Sequence, residues 1–299
     1  MPRKIIYFIN PISGTRKKTA VKELIARKSK ERGFDFEILS TRADGDYAFL
    51  PKKVKEEQIT DIVVCGGDGT VNSVVRAVQG VDVNIGIIPL GSGNGLAFAA
   101  RIPRQITRAL NVIFEGQAFP TDAFYINDEF SCMLCGIGYD AQVAHEFARN
   151  KRRGLKTYIR VSTTHFFKAK PYPFEITLND TCIDTEAFFI TIANSNQFGN
   201  HFTIAPMANL SDGLLDIVIV KKMNKLLLPF SILRQLSGTN ARQPVSEYTK
   251  NKNILYLQTD SLHIRNLANA PLHVDGDPHD TSAVFNIRVV KGCFRLLRP

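Results

Sequence analysis

The sequence predicts an α/β domain with a parallel sheet, followed by a mainly antiparallel β domain. Two textures carry this reading. The first third alternates short apolar runs with stretches of helical spacing, the pattern of strand–helix units wound onto a parallel sheet. After about residue 120 the chain turns to β-rich segments separated by Asn, Asp and Gly turns. A third observation joins them. Each of three apolar runs in the first third ends in a small-residue loop and then a helical pattern, at 10–14, 66–70 and 91–95.

In chain order, "KIIYFIN" reads as the first strand and ends in "NPISG", a turn composition. "TRKKTAVKELIARKSKERG" has helical spacing and closes on Gly33. "FDFEILS" is the next strand and "DYAFLPKKVKEEQ" a weaker helix. "DIVVCGG" is a strand, and "TVNSVVRAVQG" a helix that stops near Gly80. "VNIGIIPLGSGNGLAFAARI" reads as strand, glycine loop and helix. Beyond Pro120–Asp122, "FEITLND", "EAFFITIANS", "LLDIVIVKK", "ILYLQTDSLHIRN", "APLHVDG" and "AVFNIRVV" are strand-like, with helical patterns near 139–169 and 222–237.

At 299 residues the chain can bury one large core or two ordinary ones without a disulfide or metal staple. Five cysteines at irregular spacing (65, 132, 135, 182 and 293) suggest free thiols in a reducing, cytoplasmic setting. The lone CxxC of Cys132 and Cys135 has no second pair at zinc spacing, so it reads as two small core residues in a strand. No stretch approaches the ~18–20 apolar residues of a membrane span. The net charge of +10, with clusters at Arg16/Lys17/Lys18, Lys52/Lys53/Lys55 and Arg149/Lys151/Arg152/Arg153/Lys156, suits a polyphosphate or an anionic membrane surface. No nucleic-acid module is visible, so no nucleic-acid partner is expected.

Ligands of parallel sheets lie at the carboxyl ends of the strands, where the three loops fall. Glycine lets backbone approach a phosphate, and helix-start N–H groups bind the anion. Thr70, Asn72, Ser92 and Asn94 add side-chain donors, and Lys17 and Lys18 follow the first loop. The loops match neither the P-loop nor the G-x-G-x-x-G dinucleotide pattern. Asp68, set among glycines, suits the Mg²⁺ side of a nucleotide or a substrate hydroxyl; capping the helix near Thr70 is an equal reading.

Taken together, "NPISG" at 10–14, "GGDGTVNSVV" at 66–75, "PLGSGNGLA" at 89–97, "CGIGYDAQVA" at 135–144, "NSNQFGNHFTIAPMANLSDGLLDIVIV" at 194–220 and "HVDGDPH" at 273–279 resemble the lipid kinases of the diacylglycerol kinase and sphingosine kinase superfamily. The resemblance covers nearly the whole chain. It implies an ATP-binding α/β domain over 1–121, joined by the returning segment 290–299, and a β-sandwich substrate domain over 122–289, as in NAD kinase-like folds. It further implies ATP in the cleft between them, Mg²⁺, and γ-phosphate transfer to a lipid hydroxyl.

By position, the resemblance assigns ATP contacts to Asn10, Pro11, Ser13, Gly14, Thr41, Gly66, Gly67, Asp68, Gly69, Thr70, Asn72, Gly91, Ser92 and Asn94. It places a structural Mg²⁺ at Asn209, Asp212 and the Leu214 carbonyl, where an Asp-Gly hairpin is the simpler reading. It places the general base in the "HVDGDPH" turn. The family pattern there is Asp-Gly-Glu; this chain has Asp275-Gly276-Asp277, one methylene shorter at the second acid, and Asp277 is favoured over Asp275. Asp122 falls where sphingosine kinases hold the lipid's polar head, and "GSGNGLA" looks closer to their second loop, so the lipid leans toward a sphingoid base over diacylglycerol.

The segment 221–238 sets Leu226, Leu227, Phe230, Leu233 and Leu236 near one stripe beside Lys221, Lys222, Lys225 and Arg234. It suits a peripheral membrane contact or a helix packed on the β domain. A homodimer is compatible with the sequence. Two other readings share these features: an NAD kinase-like enzyme with a soluble substrate, and a non-catalytic lipid- or nucleotide-binding homologue.

Overall fold

The computed structural model describes residues 3–14, 18–149, 169–178, 181–199, 202–224, 227–238, 240, 242 and 252–299. Arg16 and Lys17, the basic residues between 151 and 156, the helical pattern over 150–168, and Lys225 and Leu226 lie outside the described residues. The chain divides into two compact units, Met1–Thr121 with Gly292–Pro299, and Asp122–Lys291.

The first unit contains β1 (Lys4–Ile9), α1 (Lys18–Glu31), β2 (Asp35–Ser40), α2 (Leu50–Glu57), β3 (Asp61–Gly66), α3 (Asp68–Ala77), β4 (Asn84–Pro89), α4 (Gly95–Ala99) and α5 (Ile106–Glu115). β5 (Gln117–Ile126) starts in this unit, and β17 (Val284–Arg298) ends in it. Its sheet has the order β17-β4-β3-β1-β2, and every pairing is parallel. All six residues of β3 are buried, as are five of six in β1 and β4. Strands buried on both faces must read as continuous apolar runs, which is why "IIYFI" and "IVVCG" show no alternation.

α5 has no counterpart in the sequence reading above. Its buried residues Ile106, Ala109, Leu110, Ile113 and Phe114 follow i, i+3, i+4, i+7, i+8, a helical stripe plainly written in the sequence. Arg3 closes its far end, donating to the carbonyls of Ile113 and Phe114 at 2.7 and 2.9 Å. The same guanidinium meets Asp61 at 2.9 Å. That carboxylate is fully buried at the start of β3 and also accepts from Thr60 Oγ1 and Asn84 Nδ2.

The second unit contains β6 (Glu129–Ser131), β7 (Leu134–Gly138), α6 (Tyr139–Arg149), β8 (Tyr172–Leu178), β9 (Thr181–Ala193), β10 (Gln197–Gly199), β11 (Phe202–Thr203), β12 (Leu215–Lys221), α7 (Leu228–Leu236), β13 (Ile254–Thr259), β14 (Ser261–Asn266), β15 (Leu272–Val274) and β16 (Asp277–His279). "ILYLQTDSLHIRN" is thus two strands, broken at Asp260. The long β9 organises the unit. Its first half pairs antiparallel with β8, and its second half with both β7 and β12. Ile176, Ile183, Ile190, Ile192, Ile217, Leu257 and Phe285 form the centre of the core. Cys135 lies in β7, whereas Cys132 sits in the bend between β6 and β7, so the CxxC is not one strand.

Removing Arg3 leaves the Asp61 carboxylate buried without its counter-charge, which costs about 3 kcal/mol. Arg3→Ala is expected to lower the unfolding free energy by that amount, a fall of about 1–3 M in the urea midpoint at unchanged denaturant slope, and an unchanged midpoint would refute the role given to this pair.

Candidate functional site

The three loops of the first unit converge at the carboxyl ends of β1, β3 and β4. Asn10 Nδ2 donates to Thr70 Oγ1 at 3.1 Å, and the Gly91 N–H donates to the Gly66 carbonyl at 3.1 Å. The contact is too close for side chains. A Cβ on Gly91 would stand 2.5 Å from the Gly67 Cα, and one on Gly14 would stand 2.5 Å from the Leu90 carbonyl oxygen. Asn94, in the left-handed region at φ 56°, folds its side chain back on Gly91, accepting from its N–H and donating to its carbonyl.

Asp68 is the first residue of α3, after Gly67, and does not cap that helix. Its carboxylate instead accepts the Leu96 N–H at 3.4 Å, at the start of α4. Burial pushes the Asp68 carboxyl above its ordinary value, and the backbone amides of Gly95, Leu96 and Asn94 pull against that rise.

A cavity of ≈190 Å³ opens beside these loops, lined by Ser13, Gly14, Lys18, Gly91, Ser92 and Arg104 among others. Lys18 also donates to the Ser13 carbonyl. Arg104 was not singled out in the sequence, because it lies well past the third loop; only the fold brings it to the cavity. Backbone amides, serine and two cations form an anion cradle that fits a polyphosphate. Thr41 stands at the end of β2 with its N–H on the Ile9 carbonyl. Pro11 and Gly69 are exposed, and Asn72 lies on α3.

In the second unit the Asp275 carboxylate sits against the bend between β6 and β7. Asp275 and Gly276 form the two-residue turn between β15 and β16, with φ of 50° and 87°. The Asp275 Oδ1 accepts from Ser131 Oγ at 2.6 Å, Leu134 N–H at 3.1 Å and Met133 N–H at 3.2 Å. The Cys132 N–H lies 3.4 Å from Oδ2. Asp277 is exposed at the start of β16.

Asn194 braces the same bend from the other side. Its Nδ2 donates to the carbonyls of Cys132 and Asp122, and its N–H donates to Met133. Asn194 opens the 194–220 segment that carries part of the resemblance, but neither its role nor that of Ser131 was singled out in the sequence. Burial, together with the nearby Asp275 and Asp140 carboxylates, holds the Cys135 thiol well above its ordinary pKa, so it is no ready metal ligand or nucleophile.

Asp122 is 3 % exposed within β5, and its Oδ2 accepts the Gly213 N–H at 2.7 Å. It therefore pins the 209–214 turn. In that turn Asn209 Oδ1 accepts from Ser211 N–H, and Asp212 accepts from Leu214 N–H and Gln258 Nε2. Arg242 pairs with the neighbouring buried Asp216 at 2.8 and 3.0 Å. These oxygens form a self-closed turn rather than a preformed cage for a hard cation, and the Mg²⁺ assignment there rests on the resemblance alone. Among the described residues, no three His, Cys, Asp or Glu side chains are grouped to hold a metal.

Two family models match the chain: the diacylglycerol kinase catalytic domain over residues 4–126, and the YegS C-terminal NAD kinase beta sandwich-like domain over residues 134–298. A diacylglycerol kinase of Staphylococcus carnosus is 26% identical over 283 residues, covering 92% of this chain and 88% of its own. The protein named "Probable lipid kinase YegS-like" of Chromohalobacter salexigens is 26% identical over 287 residues, covering 93% and 88%. A crystal structure of a diacylglycerol kinase from Bacillus anthracis shares the fold with a TM-score of 0.74 at 22% identity, covering 99% of this chain and 97% of that one. With both models matched in order, and the second alone spanning more than half of the sequence, the chain belongs to the diacylglycerol kinase and YegS-like lipid kinase family.

Proposed function

We propose that the protein transfers the γ-phosphate of ATP to the free hydroxyl of diacylglycerol. The observation that carries this reading is the glycine-walled, cation-lined cavity of the first unit, whose chemistry suits a nucleotide triphosphate. Lys18 and Arg104 would neutralise phosphate oxygens, and the N–H groups at the start of α3 would add donors. Mg²⁺ bound with the nucleotide would offset the charge that builds on the phosphates, and Asp68 is the carboxylate that would hold it.

The second unit supplies the acceptor chemistry. The lipid hydroxyl oxygen attacks the γ-phosphorus, the bond from that phosphorus to the β,γ-bridging oxygen breaks, and ADP leaves. The hydroxyl proton passes to a carboxylate. Asp275 fits that role better than Asp277. Its carboxylate is held in one orientation by the Ser131 hydroxyl and the backbone amides of Leu134 and Met133, whereas Asp277 is exposed at the start of β16. Diacylglycerol is preferred over a sphingoid base because Asp122, the residue that would read an amine, is buried and bonded to Gly213. The names of the related diacylglycerol kinases point the same way.

Access to a lipid fits α7. Leu227, Phe230 and Leu233 are 53%, 74% and 65% exposed along one stripe, while Gln235 on the same helix is buried against the Ile204 carbonyl. The apolar stripe therefore faces outward, beside exposed Arg234 and Lys222. We assign it to peripheral contact with an anionic bilayer. Among the described residues no helix is long and apolar enough to cross a membrane.

Asp275→Asn keeps an oxygen for the three Oδ1 donors and removes the proton acceptor. Turnover of labelled ATP with diacylglycerol in mixed micelles is expected to fall at least about 10²-fold, while Asp277→Asn stays close to wild type; the reverse order would move the base to Asp277. Transfer of label to NAD in place of lipid would overturn the acceptor class. Arg104→Ala is expected to raise the KM for ATP about tenfold, the loss of one charged hydrogen bond, and leave the lipid KM unchanged. Phe230→Asp is expected to weaken sedimentation with anionic vesicles while micellar turnover persists; unchanged sedimentation would remove α7 from the membrane contact.

A further inference from the structure

We infer that Asp140 and His273 form a buried positioning pair that sets the Asp275–Gly276 turn. The catalytic consequence rests on the kinase reading above. Thr191 on β9, Gly136 on β7 and His273 on β15 are direct cross-strand partners, so they form one row across three strands. Side chains in such a row share a face of the sheet. The middle member has none. A Cβ on Gly136 would stand 2.0 Å from Asp140 Oδ2 and 2.5 Å from His273 Nε2. The gap that glycine leaves is filled by the Asp140 carboxylate, reaching in from the first turn of α6.

Every polar contact of that carboxylate points along the row or back to its own helix. Oδ2 accepts from Thr191 Oγ1 at 3.2 Å and lies 3.6 Å from His273 Nε2; Oδ1 accepts the Ala141 N–H at 2.8 Å. Asp140, Thr191 and His273 are 7%, 0% and 2% exposed, so solvent offers them little alternative. On its other side the imidazole Nδ1 accepts the Gly276 N–H at 3.3 Å. A neutral imidazole that accepts at Nδ1 carries its proton on Nε2, facing Asp140. The carboxylate thus fixes the tautomer, the tautomer leaves Nδ1 as an acceptor, and that acceptor holds the second residue of the turn. Asp275, the first residue of the turn, sits with positive φ, which Asp-Gly adopts in a two-residue hairpin turn, and the contacts around it fix where that turn stands. The bend at 131–134 holds its carboxylate from above; His273 holds its backbone from below.

Two substitutions at His273 separate this role from simple packing. In His273→Asn the amide oxygen can take the place of Nδ1 and keep the Gly276 N–H, while the reach to Asp140 is lost. In His273→Gln the longer amide keeps the reach to Asp140 and loses the acceptor for Gly276. Amide hydrogen exchange of the 272–279 segment reads the turn without any need for activity. His273→Gln is expected to speed exchange at Gly276 about tenfold and to lower kcat by a similar factor, with the KM for ATP unchanged, since small misplacements of a reacting group cost such factors. His273→Asn is expected to recover most of both losses. If both His273 variants fail to fold, Asp140→Asn and Thr191→Val replace them, with faster Gly276 exchange as the expected result.

Unchanged exchange in His273→Gln, equal losses in the Asn and Gln variants, or a matching rise in the KM for ATP would each overturn the positioning role. A wild-type protein that phosphorylates no lipid would instead overturn the kinase reading, and the exchange measurement would still decide the inference about the turn.

Discussion

The second unit depends on the convergence of hydrogen-bond donors on the single carboxylate of Asp275. Three of its four donors are backbone N–H groups of one bend, and the fourth is the Ser131 hydroxyl that opens that bend. Charge-assisted bonds of this kind are about twice as strong as neutral ones. They tie the β15–β16 hairpin to the β6–β7 connection, which Asn194 then ties to β9 and to the Asp122 carbonyl. Buried polar groups are worth having only when satisfied, and here nearly every donor in the bend is answered. The result is a carboxylate whose position follows from strand pairing rather than from a mobile loop.

The first unit solves the opposite problem. Its loops meet backbone to backbone, so side chains must be absent where they cross. The 2.5 Å distances from a notional Cβ at Gly14 and Gly91 measure how little room remains. The positive groups then come from outside the glycine segments: Lys18 from the start of α1, Arg104 from the chain between α4 and α5. Division of labour between a neutral backbone cradle and a rim of cations lets the cradle be tight and the rim adaptable.

Much of this was legible in the sequence, and the reasons for the rest are specific. The parallel strands announced themselves as unbroken apolar runs, and the three glycine loops by their place after those runs. α5 is harder to read although its stripe is regular, because Gln105 gives it no side-chain cap and its first turn carries no acid, so no start signal marks it. Arg104, Ser131 and Asn194 were invisible for a different reason. Each acts through a partner far away in sequence, and residue type alone does not encode that partner. The Asp-Gly pair at 275–276 is legible in the sequence as a possible turn, while the donors that meet the Asp275 carboxylate come from residues more than 140 positions away and are not. Asp122 is of the same kind: its carboxylate accepts the Gly213 N–H, a partner 91 residues away that the sequence does not name.

The closing strand carries a consequence for how the molecule is made. β4 lies between β3 and the last residues of the chain, Arg295 and Leu296 of β17, which pair with Asn84 and Ile85. The Arg298 carbonyl reaches the surface of Gly116 so closely that no Cβ could intervene. During synthesis the first 121 residues emerge long before this strand exists. Until residues 292–298 have been made and have docked, β4 presents an open edge of unpaired backbone groups, the kind of edge that recruits other chains. The first unit is thus begun early and completed only when β17 joins it, so loss of β17 would leave β4 with an open edge while the three glycine loops are already present.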